Sequence, residues 1–218
     1  MNARPHCQNR QSERAQAQSE RILCAAQKCF IEHGFHAAGM ALIAETAEMS
    51  PGLIYRYFDN KNAIILAIVE RQLENARTGI RALHHAPDFA AAAFDAFDCW
   101  RRADPRLMNV ALFLEMSAEA SRNPELAAAL ATSDAEVRKE FASWLGAAIE
   151  DGGRGLPPEL ARMRALSLQC FMEGLAIRAL REPDTAPEIL RTAIGEFVDN
   201  LFTAAFPAEG KYRRDPSS

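Results

Sequence analysis

Apolar and polar residues follow a helical pattern along the first third of the chain. Between about residues 12 and 33, apolar side chains recur at three- and four-residue spacing, and Gly34 follows as a helix stop. A second, short helix is predicted by a one-sided apolar stripe of Met40, Ile43, Ala44 and Ala47. This stripe is expected to face a small core.

A tight turn and a third helix come next. Residues 48 and 49 form the turn, and Ser50 with Pro51 marks a helix start. A serine hydroxyl can accept from an amide of the first turn, and proline at the first helical position loses no hydrogen bond. Ile54 and Phe58 lie four residues apart and are expected to form a buried seam. The stretch therefore predicts a helix–turn–helix.

A long fourth helix is predicted from residue 61 to about residue 84, with Asp59 and Asn60 as its caps. At ~1.5 Å per residue, a helix of this length spans roughly 36 Å. It can therefore connect a small N-terminal domain to a larger body and transmit a change between them.

The remainder of the chain is also predicted to be helical, so the expected fold class is all-α. From Pro87 on there is no strand-like alternation, hairpin signal or internal repeat. Turn signals divide this part into five predicted helices at about residues 88–103, 105–122, 125–150, 158–181 and 187–205. The expected organisation is a flexible arm (1–11), a helix–turn–helix domain (12–60), a connecting helix (61–84), a body (85–206) and a polar tail (207–218).

The last two predicted helices carry apolar faces that are wider than one core requires. These faces consist of Leu160, Met163, Leu166, Cys170, Phe171, Leu175 and Ile177, and of Ile189, Leu190, Ile194, Phe197, Val198, Leu201 and Phe202. Pairing with the same helices of a second copy would form a four-helix interface in a homodimer. Gly174 favours this interpretation, since glycine permits close approach of a neighbouring helix. The alternative is that both faces complete the core of one monomer.

The helix–turn–helix carries side chains that suit double-stranded DNA. A recognition helix presents its N-terminal residues to base edges in the major groove, while cations and aromatic hydroxyls around it reach phosphates. The candidate DNA-binding residues are Arg21, Gly39, Met40, Ala41, Ser50, Pro51, Gly52, Leu53, Tyr55, Arg56, Tyr57 and Lys61. From spacing alone the alternative stays open, because many helix–turn–helix patterns bind nothing.

An ordered series of residues in the first third of the chain matches a known pattern. It consists of Arg21-Ile22-Leu23, Ala25-Ala26, Phe30, Gly34-Phe35, Ile43-Ala44, Ala47, the run from Ser50 to Tyr55, Tyr57-Phe58 and Lys61. The series resembles the N-terminal domain of the TetR family of bacterial transcriptional regulators. The resemblance implies a three-helix DNA-binding head and a larger all-helical domain that dimerises and usually binds a small molecule. It also implies that Tyr55, Tyr57 and Lys61 contact the DNA backbone.

One segment departs from that family pattern. The family usually opens its second helix with threonine or serine and often has a basic or polar residue soon after, whereas this chain has apolar and small residues from Ala38 to Leu42. A phosphate-binding cap and a base-reading arginine are therefore expected to be missing. The segment is the main argument for a second interpretation, a helical carrier that has lost DNA binding.

Aromatic and methionine residues recur in the middle of the predicted body. Ligand pockets are mostly hydrophobic with a few polar groups, and in helical proteins they open between helices. The candidate ligand-binding residues are Phe97, Trp100, Met108, Phe113, Met116, Phe141, Trp144, Met172 and Glu173. They predict an apolar or aromatic ligand that a glutamate can orient. The alternative is that the apolar ones are plain core.

Composition and charge fit a globular protein that touches nucleic acid at one end. The 218 residues are 49% hydrophobic and 25% charged, with a net charge of −4. Residues 1–83 contain ten basic and eight acidic side chains, and the remainder contains fifteen and twenty-one. A mildly basic head on an acidic body agrees with DNA binding, although solvated surface charge explains it as well.

Motifs for enzyme chemistry are missing from the sequence. There is no GxSxG, GxGxxG, Walker or HExxH motif, and the five cysteines show neither CxxC pairs nor a zinc-binding histidine set. We therefore expect no catalytic residues, metal or cofactor, reduced cysteines and no membrane segment, which places the protein in the cytoplasm.

The sequence favours a dimeric transcriptional regulator, a repressor that a small molecule releases from a palindromic operator. The alternative is a dimeric helical small-molecule binding protein with weakened or lost DNA binding.

Overall fold

The computed structural model describes residues 6–84, 86 and 88–202 of the chain. Within these residues it contains helices and no strand, so the predicted all-α fold is confirmed. Residues 1–5 of the predicted arm and the predicted tail, 207–218, lie outside the described residues. The helices are α1 (His6–Ala37), α2 (Met40–Thr46), α3 (Pro51–Ile54), α4 (Lys61–His84), α5 (Phe89–Arg101), α6 (Val110–Ala120), α7 (Pro124–Gly146), α8 (Pro158–Arg181) and α9 (Pro187–Phe202).

Helix bounds differ from the predicted ones at three places. Helix α1 begins at His6, so residues 6–11 are helical where a flexible arm is predicted. Helix α6 begins at Val110 and not at residue 105, because the Asn109 side chain accepts from the Leu112 amide and caps the helix there. Helix α7 ends at Gly146, and a separate 3₁₀ turn, Ile149–Asp151, replaces its predicted last turn.

The predicted stop at Gly34 is visible as a break inside α1. Gly34 has φ 73° and ψ 165°, which is not helical, and the following residues form one further turn to Ala37. A positive φ of this kind favours glycine, because other residues clash with their own backbone there. The turn brings Ala38 back to the Gly34 carbonyl through a 3.2 Å hydrogen bond and leads into α2.

The chain forms two compact units, and chain order does not predict them. Among the described residues, the head unit contains those up to Asn75 together with Met108–Asp134, and the body unit contains those of Ala76–Leu107 and those from Ala135 to Phe202. Helix α6 and the start of α7 thus pack with the head, although they follow α5 in the sequence.

The head unit has its own hydrophobic core. Its fully buried side chains come from α1, α2, α3, α4, α6 and α7, and include Ile22, Phe30, Ile43, Ile54, Ile64, Ile68, Leu112 and Leu126. Polar contacts tie the outer helices to this core: Arg71 of α4 donates to Glu20 and Gln27 of α1. Asn123 caps α7 and also donates to the side chain of Asn62 on α4 at 2.9 Å.

The body unit packs α5 against α8 and α9 around a second core. Trp144 stacks on Phe89 with 5.2 Å between ring centroids, and its indole Nε1 donates to the Gly152 carbonyl at 3.0 Å. Gly153 is required in the same turn, because a Cβ there would lie 2.1 Å from the Ala147 carbonyl oxygen. The turn between α7 and α8 is therefore closely packed against the end of α7.

Candidate nucleic-acid interface

The helix–turn–helix is formed by α2, a four-residue turn and α3, all within the head unit. Ile43 and Ala44 of α2 and Ile54 of α3 are buried, and they fix both helices to the core. The Met49 amide donates to the Ala44 carbonyl at 2.9 Å and closes the turn. The side of the motif opposite these anchors faces solvent.

The start of α3 has the predicted cap. The Ser50 hydroxyl oxygen accepts from the Leu53 amide at 3.3 Å, and Pro51 occupies the first helical position. Although α3 is assigned only as Pro51–Ile54, helical hydrogen bonds continue as far as Phe58, whose amide donates to the Ile54 carbonyl. The recognition element is therefore about two turns long.

Exposure divides the predicted DNA-binding residues into two groups. Those with exposed side chains or backbone are Arg21, Gly39, Ala41, Ser50, Pro51, Gly52, Tyr55 and Arg56, and those that are half-buried are Met40, Leu53, Tyr57 and Lys61. Met40 and Tyr57 also pack against the head core. Nothing lies within 4 Å of a Cβ built on Gly52, so the backbone there is open to close approach by another molecule.

Two of the predicted cations already have partners in the head unit. Arg21 Nη2 lies 3.1 Å from Glu48 Oε2, and Lys61 Nζ donates to the Phe35 carbonyl at 2.6 Å. Arg56 is exposed and forms no ion pair with any residue that the structure describes. Arg56 is therefore the cation in this group that needs to break no contact to meet a phosphate.

Glu48 lies beside the candidate residue Arg21, and the sequence pattern did not single it out as a site residue. It lies in the turn before α3 with φ 52°, a left-handed conformation that is uncommon for a non-glycine residue. Its side chain is largely exposed and carries a negative charge beside Arg21. The turn could have pointed to Glu48 from the sequence alone, because tight turns of this kind often require a residue with a positive φ.

Helix α2 begins without a side-chain cap. Gly39 occupies the N-cap position in an extended conformation, and no side chain accepts from the first amides of α2. These amides point out of the helix start, where a phosphate oxygen can accept from them.

The predicted ligand-binding residues do not lie in one unit. Phe97, Trp100, Phe141, Trp144, Met172 and Glu173 belong to the body unit, and Met108, Phe113 and Met116 belong to the head unit. Met116 is buried in the head core against residues of α1 and α4. In the body unit, Glu173 accepts from Gln169 at 2.8 Å, and Gln169 accepts from Arg138 at 3.1 Å.

None of the helices in the described ranges is long and apolar enough to cross a membrane. No group of three or more metal-binding side chains occurs among those same residues.

Comparisons with known proteins match both halves of the chain. Residues 22–68 match the family model for bacterial regulatory proteins of the tetR family, and residues 99–203 match that for the BetI-type transcriptional repressor C-terminal domain. The HTH-type transcriptional regulator UidR of Escherichia coli is 36% identical over 130 residues, which cover 56% of this chain and 61% of UidR. The matched segment thus spans less than two thirds of that relative.

Two further matches extend over most of the chain. An uncharacterized HTH-type transcriptional regulator of Mycobacterium tuberculosis is 28% identical over 204 residues, covering 91% of this chain and 92% of that protein. The structure of Salmonella enterica GusR superimposes with a TM-score of 0.66 at 28% identity, covering 84% of this chain and 96% of GusR.

Proposed function

Because the chain belongs to the TetR family of bacterial regulatory proteins, we propose that it is a dimeric transcriptional regulator that binds a DNA operator. The observation that carries this proposal is the exposed, capped start of α3 on a motif anchored by buried Ile54. The role is regulatory and not catalytic, and it places the protein in the cytoplasm with the chromosome.

Base recognition falls to the first turn of α3. Pro51 and Gly52 are exposed and Leu53 is half-buried, whereas Ile54 is fully buried and cannot reach a base. Leu53 suits contact with a thymine methyl group, and Gly52 lets the backbone approach the groove. Sequence preference is therefore expected to depend on few side chains.

Phosphate contacts supply most of the affinity in this proposal. Arg56 and Tyr55 are exposed beside α3, and the uncapped amides of α2 lie at the other end of the motif. Lys61 is also proposed to bind a phosphate, with the ammonium protons that its hydrogen bond to the Phe35 carbonyl leaves free. Arg21 is proposed to bind a phosphate as well, after its hydrogen bond to the Glu48 carboxylate breaks.

A second copy of the chain is proposed to cover the outer face of α8 and α9. On α8 the residues Met163, Leu166, Cys170 and Gly174 are exposed and recur at three- and four-residue spacing. On α9 a shallow groove is lined by Glu188, Ile189, Thr192, Ala193 and Glu196. Ile189 is 64% exposed and adds a large apolar side chain to this groove.

The residues that the sequence predicted for the dimer interface fall into a buried group and an exposed group. Leu160, Leu175, Leu190, Ile194, Val198 and Leu201 are buried in the core of the body unit and so serve the monomer. The exposed members remain for the partner. In this proposal, the buried face of these helices completes the core of the monomer, and the exposed face forms the dimer interface.

Regulation is proposed to follow a two-state scheme. A small apolar or aromatic ligand binds the body unit, prefers the conformation with low DNA affinity, and releases a repressor from its operator. Helix α4 contributes residues to both units, so it is the proposed route of the change. A ligand that binds both conformations equally well does not shift the equilibrium between them, however tightly it binds.

The deciding experiment is binding of the purified full chain to the DNA upstream of its own gene, titrated with salt and with unrelated duplex as competitor. We expect competitor-resistant binding and a footprint over a palindrome whose half-sites lie about one helical turn apart. A footprint over a single half-site argues against the dimeric arrangement. Binding no tighter than to unrelated duplex, across several upstream fragments, contradicts the regulator proposal.

The dimer has its own test in Cys170, which is exposed within the α8 stripe. A short bismaleimide is expected to cross-link two chains through Cys170, and the Cys170→Ser variant removes the cross-link. Cross-linking that survives in Cys170→Ser but disappears in Cys24→Ser assigns contact to the head and contradicts the proposed interface.

The second candidate is a dimeric helical protein that binds a small molecule and has lost DNA binding. The observation in its favour is the segment from Ala38 to Leu42 at the start of α2, which offers DNA no hydroxyl and no cationic side chain. The same binding experiment separates the two candidates, because a carrier has no preference for any upstream fragment.

A further inference from the structure

Trp100 has a buried hydrogen-bond donor for which the described part of the chain provides no acceptor. It lies near the end of α5, and its ring packs against the hydrophobic core of the body unit. Its Nε1 is buried, and no acceptor lies within hydrogen-bond distance among the residues that the structure describes. An indole nitrogen can only donate, and buried tryptophans usually find a partner for it. An orphaned donor of this kind calls for a physical explanation.

Acceptors close to Trp100 in the chain are already engaged. Asp98 accepts from Arg101 and Arg102, and Asp104 accepts from Arg106. The carbonyl oxygens at the end of α5 are also used, since that of Trp100 accepts from the Ala103 amide at 3.0 Å. These acceptors thus serve hydrogen bonds at the end of α5, and none of them forms a hydrogen bond with the Trp100 indole.

The other tryptophan provides a direct contrast. The chain contains two tryptophans, and both pack in the body unit. Trp144 Nε1 donates to the Gly152 carbonyl at 3.0 Å, so its donor holds the turn after α7 in place. One tryptophan therefore uses its donor for the fold, whereas the donor of the other meets no acceptor in the described ranges.

We propose that Trp100 donates this hydrogen bond to the regulatory ligand, and that the ligand is an uncharged, mainly apolar molecule with an acceptor oxygen. The oxygen belongs to a carbonyl, ether or hydroxyl group. A carboxylate is disfavoured, because one neutral donor does not offset the burial of a full charge. A bound water is a weaker partner, because it needs two to four polar neighbours and Trp100 packs on an apolar cluster.

This inference rests on the proposed function in one respect, namely that a ligand binds the body unit. Acetophenone and ethylbenzene are suitable probes, because they have similar size and differ in a carbonyl oxygen. Their binding to the full chain is measured by calorimetry for the natural sequence, Trp100→Phe and Trp144→Phe. Trp100→Phe keeps an aromatic ring and removes the donor, and Trp144→Phe is the matched control.

Acetophenone is expected to bind the natural sequence roughly two- to tenfold tighter than ethylbenzene, the range of one net hydrogen bond. Trp100→Phe abolishes this difference, and Trp144→Phe retains it. Thermal unfolding should show that Trp144→Phe lowers Tm, because it breaks a bond, whereas Trp100→Phe leaves Tm unchanged or raises it.

A measurement on the natural sequence makes the test independent of how the variants fold. In a spectrum of protein labelled with ¹⁵N-tryptophan, the Trp100 indole signal is expected to move downfield with acetophenone and not with ethylbenzene. Equal affinity for the two probes, no binding of acetophenone up to its solubility, or an unmoved Trp100 signal overturns the inference. Each of these results leaves operator binding intact, whereas failure of the proposed function appears as loss of operator preference with no probe present.

Discussion

Arg21 Nη2 lies 3.1 Å from Glu48 Oε2, and Glu48 holds this pair from a left-handed backbone with φ 52°. A non-glycine residue in this conformation costs about 1 kcal/mol or more. The ion pair offsets little of this cost in backbone free energy, because both side chains are exposed and such pairs contribute about 0–1 kcal/mol. Glu48 also brings a negative charge to the surface on which DNA is proposed to lie. Stability alone does not explain its presence.

We predict that Glu48→Gly stabilises the chain and tightens DNA binding. Glycine removes the backbone strain, and the net gain in unfolding free energy is expected to be at most about 1 kcal/mol, because the loss of the ion pair and the greater freedom of the unfolded chain offset part of it. Removal of the carboxylate frees Arg21 for a phosphate, so affinity should rise for all duplexes alike. Urea unfolding and binding at several salt concentrations measure the two effects.

The Glu48→Gln variant separates charge from strain. It keeps the left-handed backbone and removes the charge, so it should tighten DNA binding without the gain in stability. Weaker DNA binding by both variants would mean that Glu48 positions Arg21 and does not mask it.

Arg56→Ala and Lys61→Ala are predicted to weaken DNA binding to every sequence and to flatten the salt dependence by about one unit each. They should differ in stability. Arg56 has no ion pair among the described residues, whereas Lys61 Nζ donates to the Phe35 carbonyl at 2.6 Å. Lys61→Ala should therefore also cost roughly 1 kcal/mol in unfolding free energy. An unchanged salt slope would remove the residue concerned from the interface.

Gly174→Ala is predicted to stabilise the folded chain and weaken the dimer. Apart from the adjacent backbone of α8 itself, no atom of the described residues lies within 4 Å of a Cβ built on Gly174, so alanine fits the single chain and gains roughly 0.5–1 kcal/mol of helix stability. At a close contact between two α8 helices, the added methyl group should weaken dimerisation about tenfold. Sedimentation at several protein concentrations measures the dimer.

The control for Gly174→Ala is Gly79→Ala on α4, where a Cβ would make ordinary contact with Leu107 at 3.5 Å. This variant should leave dimerisation unchanged. Equal dimerisation of both variants would contradict a close approach at Gly174.

Asp104 is predicted to titrate at low pH. Hydrogen bonds from the Arg106 side chain and amide lower the pKa of Asp104 from 3.8 to about 2. Because the folded pKa is the lower one, the pair's contribution to stability is present above pH 3.8 and is lost as pH falls toward 2. Carboxyl chemical shifts should show this pKa, and Arg106→Gln should return it toward 3.8. A pKa that stays low in the variant would assign the shift to another cause.

Local features of the chain are the ones that the sequence predicted well. The Ser50 cap, Pro51 at the first position of α3 and the Asn60 side chain that accepts from the Ala63 amide all involve residues within three positions of each other. The helical periodicity of the apolar stripes is local as well. The fold class and the helix–turn–helix therefore followed from the sequence, and so did the family.

The places where α6 and α7 begin and end were less predictable, since they depend on which competing cap forms. Asp104-Pro105 is a plausible helix start in sequence, but Asn109 provides the cap that the structure uses. Pairing of Asp104 with Arg106 instead makes residues 104–106 a separate turn.

By itself, the sequence determined that the chain is helical, the Ser50 and Asn60 caps and the helix–turn–helix, because those rest on hydrogen bonds and apolar spacings within a few residues. Only the tertiary structure decided which distant residues meet. It placed Met116 in the head core, paired Lys61 with a carbonyl 26 residues earlier in the chain, and left the Trp100 donor without a partner among the residues that the structure describes. These outcomes depend on the path of the whole chain and on competition among many side chains for the same buried space.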